Sequence, residues 1–122
     1  MANNFVQRGS VVTWTNSTGS NVAAGSVVKM VHTLGVALVD IPNGASGSVA
    51  IEGVFAAPKV SGAEFAVGEA LIWDVSAGAF DDSAATPASG DVTGAAIAMR
   101  AGADGETTCV VKLTPGNSTV TP

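Results

Sequence analysis

The chain has 122 residues, 47% of them hydrophobic and only 12% charged, with a net charge of −5 from 5 basic and 10 acidic side chains. Its cations, Arg8, Lys29, Lys59, Arg100 and Lys112, are scattered singly, which excludes a phosphate-tracking stripe and speaks against direct nucleic-acid binding. A single cysteine excludes an internal disulfide and a multi-cysteine metal site, and no run approaches the ~18 apolar residues of a membrane span.

A chain of this length supports one domain with a real core. Its charged fraction is about half the usual ~25%, so small and apolar side chains must form part of the surface, as suits a protein that works inside an assembly. The start, M-A-N-N-F-V-Q-R-G, lacks the apolar core of a signal peptide. The protein is therefore expected to be made and kept in a cytoplasm, or in something assembled there.

Residues 1–10 read as an arm. Asn3, Asn4, Gln7 and Arg8 are polar, and Phe5 and Val6 form one apolar pair. A terminal segment with so few apolar groups does not order by itself, but it can pair with a partner's sheet edge, with Phe5 and Val6 as anchors. Val11-Val12-Thr13-Trp14-Thr15 is a strand of branched and aromatic residues. Asn16 to Asn21 is a loop by composition, Ser26 to Val31 is a strand, and His32-Thr33-Leu34 reads as a connection.

The central unit runs from Gly35 to Phe55 as two strands around the turn Pro42-Asn43-Gly44. The first, Gly35 to Ile41, is apolar on both faces except at Asp40 and is expected to be covered on both. The second resumes at Ser48 and is read through Gly53 to Phe55. Residues 56–68, punctuated by Pro58, Gly62 and Gly68, form an irregular crossing with at most one helical turn. Glu69 to Val75 is a strand, Ser76 to Gly90 a small-residue acidic loop, and Asp91 to Arg100 and Thr107 to Thr114 the last two strands. Residues 115–122 read as a polar tail. The expectation is an all-β, compact small sandwich or barrel-like domain of about seven to eight short strands over residues 11–114, with an extended N-terminal arm.

The chain also echoes itself. Gly35-Val36-Ala37-Leu38 resembles Gly94-Ala95-Ala96-Ile97, and Gly25-Ser26-Val27-Val28 resembles Gly68-Glu69-Ala70-Leu71. Two half-barrels or sheets related by pseudo-symmetry would account for this.

Catalytic motifs are absent from the sequence. There is no Gly-Lys pair for a phosphate loop, no G-x-S-x-G elbow, and no G-x-G-x-x-G between a strand and a helix. His32 is the only histidine and has no partner in sequence, so it reads as a surface or interface residue. Asp81-Asp82 supplies too few oxygens for a calcium loop. Cys109, inside T-T-C-V-V-K-L, reads as a buried structural thiol. Trp73 in L-I-W-D reads as core or subunit-interface packing. No catalytic residue, cofactor or metal is expected.

An ordered set of short motifs carries a resemblance. M-A-N-N-F-V-Q-R-G-S-V-V-T, G-V-A-L-V-D, E-G-V-F-A-A-P-K, V-G-E-A-L-I-W-D with Ala77-Gly78, G-A-A-I-A and C-V-V-K-L follow one another from Asn3 to about Leu113. In this order they resemble the capsid-cement, or head-decoration, proteins of tailed phages, a family formerly grouped as a domain of unknown function. Some members carry a RecA/RadA-type recombinase label, against which the missing phosphate loop argues here. The resemblance implies a non-enzymatic virion protein on the outer surface of the expanded head, with the major capsid protein as partner. It is similar in role to the lambda-type decoration protein, which sits as homotrimers at local three-fold points and whose arm joins capsid strands. By that resemblance Asn3, Asn4, Phe5, Val6, Gln7 and Arg8 are the capsid-binding residues. The alternatives are another virion module, of the tail or fibre base, and a small β-barrel ligand-binding module.

Overall fold

The computed structural model describes residues 3–4, 6–7 and 9–122, and these form an all-β domain. Ten strands follow in order: β1 (Val11–Thr15), β2 (Val27–Met30), β3 (Thr33–Ala37), β4 (Ser46–Ala50), β5 (Val54–Pro58), β6 (Ala70–Asp74), β7 (Ala79–Asp81), β8 (Val92–Ala98), β9 (Thr108–Leu113) and β10 (Thr119–Val120). β1 to β4 make a curled four-stranded antiparallel sheet in the order β1-β4-β3-β2, and the rest make a six-stranded sheet in the order β5-β9-β8-β6-β7, with β10 beside β8. A parallel bridge from Lys59, just past β5, to Phe80 draws the two edges of the second sheet together, and Val60 N–H donates to the Phe80 carbonyl at 2.9 Å.

The two sheets repeat one motif. β1, β4, β3 and β2 take the same order as β5, β9, β8 and β6. The hydrogen bonds correspond as well. Gly25 N–H donates to Ala37 O at 2.7 Å and Ala37 N–H to Ser26 O at 2.9 Å; Gly68 N–H donates to Ala98 O at 2.7 Å and Ala98 N–H to Glu69 O at 3.0 Å. The Val22–Ile41 bridge of the first half has its counterpart in the Phe65–Gly102 bridge of the second. There the bulk has changed sides, because a Cβ on Gly102 would lie 2.5 Å from the Phe65 ring. The Gly25 and Gly68 echo therefore marks true counterparts. The Gly35 and Gly94 echo is two residues out of step with that correspondence, which sets Ala37 against Ala98, and Gly94–Ala96 lie in the register irregularity of β8 opposite Ala70–Ile72.

The central unit is divided between the two halves. β4 stops at Ala50, Gly53 takes φ +123°, and the chain re-emerges as β5 in the other sheet. Only glycine holds that backbone angle without strain. The Gly35–Ile41 strand is also shorter than its sequence suggests. The backbone leaves the sheet after Ala37, with Leu38 and Val39 45% and 47% exposed and Ile41 turned inward beside Val22. Up to Ala37 the strand is covered on both faces, Leu34 and Val36 entering the larger core and Ala37 the smaller one, and only the Leu38–Val39 end is exposed. The connection read at His32–Leu34 lies one residue or more earlier: β2 ends at Met30, Val31–His32 make a tight turn with Val31 at φ +64°, and Thr33 and Leu34 begin β3. Residues 56–68 contain the end of β5 and no helical turn. The 76–90 loop contains β7, and the 115–122 segment contains β10, with Thr119 opposite Thr93 and Val120 opposite Val92.

The larger core draws on both halves, with Leu34 and Val36 of β3 joining residues of β5 to β9, whereas the smaller core lies within the first half. Leu71, Phe80, Val92, Ala96 and Val111 lie at the centre of the larger core, with Trp73 edge-on to Phe80 at 4.9 Å between ring centroids. The smaller core, Val28, Ala37, Ile41 and Val49, fills the first half, flanked by half-buried Trp14 and Met30. β10 is held close to β8 through a second demanding glycine. Gly94 has φ +82°, and a Cβ there would meet the Asn117 carbonyl oxygen at 2.6 Å. Gly94→Ala is expected to cost more than about 2 kcal/mol, combining left-handed strain with displacement of the Asn117 turn, as urea unfolding would measure.

Candidate functional site

The arm enters the fold at Gly9–Ser10, where the Ser10 carbonyl accepts the Ile51 N–H at 3.0 Å. Ahead of that anchor, Asn3, Asn4, Val6 and Gln7 are all exposed and outside any strand, with Val6 90% exposed. Phe5 and Arg8, read as capsid-binding from the sequence, lie outside the described residues. Beside the arm's root a shallow cleft of about 610 Å³ is lined by Ser10, Glu52, Gly53, Lys112, Leu113 and Pro115, at the crossover between the halves.

The polar side chains elsewhere hold loops. Asn16, fully buried just after β1, donates through Nδ2 to the Ser20 and Ile41 carbonyls, each at 2.8 Å, and accepts from Thr18. Lys59, its counterpart after β5, is also buried and donates through Nζ to the carbonyls of Val60, Ser61 and Glu106. Buried polar groups need such partners, and among the described residues no buried side-chain nitrogen or oxygen lacks one.

The carboxylates serve the backbone. Asp91, buried, accepts from Val75 and Ala88 N–H. Asp74 accepts from Ser76 Oγ and N–H and from Ala77 N–H; the Ser76 hydroxyl is the largest influence holding its carboxyl below the ordinary range. Glu69 accepts from Ser83 N–H and Oγ and from Ala66 N–H, and the Ser83 N–H is the main cause of its lowered pKa. Asp81 and Asp82 each accept a backbone N–H from the residues that follow. Among the described residues no three His, Cys, Asp or Glu side chains come together as metal ligands.

His32 is exposed on the β2–β3 turn, where its carbonyl accepts from Ser118 Oγ. Cys109 is buried in β9, and its thiol faces the Ala57 carbonyl at 3.5 Å. Burial pushes the thiol up to about 11, with nearby Lys59 acting in the opposite direction. The folded thiol therefore keeps its proton while the unfolded one, at 9.0, loses it. The stability this contributes is present below pH 9 and is lost as the pH rises from 9 to about 11. Melting temperatures across that window should fall more steeply for the native chain than for Cys109→Ala. At neutral pH the thiol should resist alkylation until the protein unfolds.

Among the described residues these side chains position loops. The sequence model of the phage cement protein family matches residues 6–113. That span covers every strand but β10, so the chain belongs to the phage cement protein family. No curated protein matches it significantly. The family is a structural one, associated with the phage capsid.

Proposed function

We propose that this cement protein binds the outer surface of the expanded phage head and stabilises the shell, without catalytic activity. The observation that carries the reading is the family match across residues 6–113, on an all-β domain whose buried polar side chains, among the described residues, all have partners within it. Asn3, Asn4, Phe5, Val6, Gln7 and Arg8 are proposed as the residues that meet the major capsid protein, and the working unit as a homotrimer on the virion exterior. The exposed state of Val6 supports the arm assignment.

The physics of such a role is cumulative. A modest contact repeated across a shell stabilises the whole through multivalency, and any ligand that binds only the assembled state shifts the equilibrium toward it. An arm that orders on its partner defers its entropy cost until docking, so it can be released and rebound. Few charges and many small residues allow close approach between subunits. Adding the purified protein back to expanded heads that lack it tests the stabilising role. Heads that carry it should rupture at a higher temperature than bare heads, and equal rupture temperatures at saturating protein would overturn the proposal.

A further inference from the structure

The two halves share four strand positions, but only the second half has a fifth. β7 arises from residues 75–91 between β6 and β8, runs antiparallel to β6, and meets the chain just past β5 through the Lys59–Phe80 parallel bridge. Its central residue, Phe80, is fully buried against Trp73. In the first half, Val31 and His32 alone join the corresponding strands. Among the described residues, β1 and β2 therefore remain the two open edges of the curled sheet. Trp14 on β1 and Met30 on β2, the latter corresponding to Trp73, are half-buried beside the small core with no counterpart of Phe80.

The β1 edge also lacks the usual protection, whereas β2 carries one charge, Lys29, whose Nζ donates to the Gly90 carbonyl at 2.7 Å. β1 reads Val-Val-Thr-Trp-Thr, with no charge and no proline, and pairs with β4 without a bulge. Natural sheets avoid leaving such an edge bare, because it is a template for another strand. The chain's own arm cannot reproduce the second-half geometry. The fifth strand there runs parallel to its β5 neighbour, whereas a segment joined to β1 through Gly9–Ser10 would run antiparallel; a parallel neighbour needs a crossover of about a dozen residues or more.

We infer that the gap between β1 and β2 receives a strand from the phage shell. β7 supplies the template: a short extended segment, antiparallel to β2, with one bulky apolar side chain entering beside Trp14 and Met30 and small or polar residues on either side. The inference rests on the capsid-binding reading and names the surface that it uses. The shell is favoured because the proposed docking arm leads directly into β1, so a shell segment beside the arm also lies beside this gap. A second copy offering one of its own sheet edges would cover β1 or β2 and leave the other open, whereas an inserted strand pairs with both.

Backbone hydrogen exchange on the full-length chain, free and bound to expanded shells stripped of it, tests this. Amides of Val11–Thr15 and Val27–Met30 that face the gap should slow by about tenfold or more on shell binding. A variant replaces Val31–His32 with a copy of residues 75–91, supplying the missing strand from within the chain. It should bind shells about tenfold or more weaker with its arm intact, since its gap is already filled. If the native chain binds shells while β1 and β2 exchange as before, the docking reading stands and the strand inference falls. Slowing at these amides with rising protein concentration and no shells would assign the gap to a second copy and overturn the inference. Failure of the native chain to bind shells would overturn both.

Discussion

Phe80→Ala is expected to destabilise the domain by about 3–5 kcal/mol, the range for removing a fully buried aromatic ring. Phe80 is completely inaccessible, packs edge-on to Trp73, and sits where β7 meets the end of β5. Truncation leaves a cavity among Leu71, Trp73 and Val111 and removes the side chain that closes the second sheet's seam. Urea unfolding gives the value directly. Phe55→Ala should cost less, since that ring is half-buried at the margin of the same core. Equal costs for the two would contradict the assignment of Phe80 as the closing residue.

Deleting residues 2–8 is expected to abolish shell binding while leaving the unfolding transition unchanged. The cut stops short of Ser10, whose carbonyl accepts the Ile51 N–H and anchors the start of β1. The described residues within the deletion are exposed and outside the strands, so their loss removes no core contact. Binding measured by co-sedimentation and stability measured by thermal melting separate the two effects. Full binding by the shortened chain would remove the arm from the docking surface.

The second of these predictions starts from the sequence, where polar residues surround an isolated Phe5-Val6 pair; the first could not. Phe80 lies in S-A-G-A-F-D-D-S, where small and acidic neighbours give the signature of a loop. What makes Ala79–Asp81 a strand is tertiary: β6 on one side and the chain past β5 on the other. β10 was hidden for the same reason, since Thr119–Val120 has no periodicity of its own and is ordered by β8. The duplication was half visible. Gly25 and Gly68 stand at equivalent hydrogen-bonded positions, so their echo survives. Elsewhere the halves exchange large for small side chains, as with Ile41 for Gly102 and Val22 for Phe65, which preserves packing and erases sequence likeness. The break at Gly53 was misread because residues 48–55 alternate well enough for one strand. A glycine at φ +123° instead passes the chain from one sheet to the other.

The buried polar residues show a similar limit. Nothing near Asn16 or Lys59 in sequence distinguishes them from surface residues, yet each follows the first strand of its half and ties a loop from within. Their shared position would have been found by comparing the halves.

The most direct test of capsid binding is co-sedimentation of the purified protein with expanded shells stripped of it, beside unexpanded precursor shells. Saturable binding to expanded shells, with none to precursors, is the predicted result. Absence of binding to expanded shells, or equal binding to both forms, would contradict a cement role specific to the expanded head.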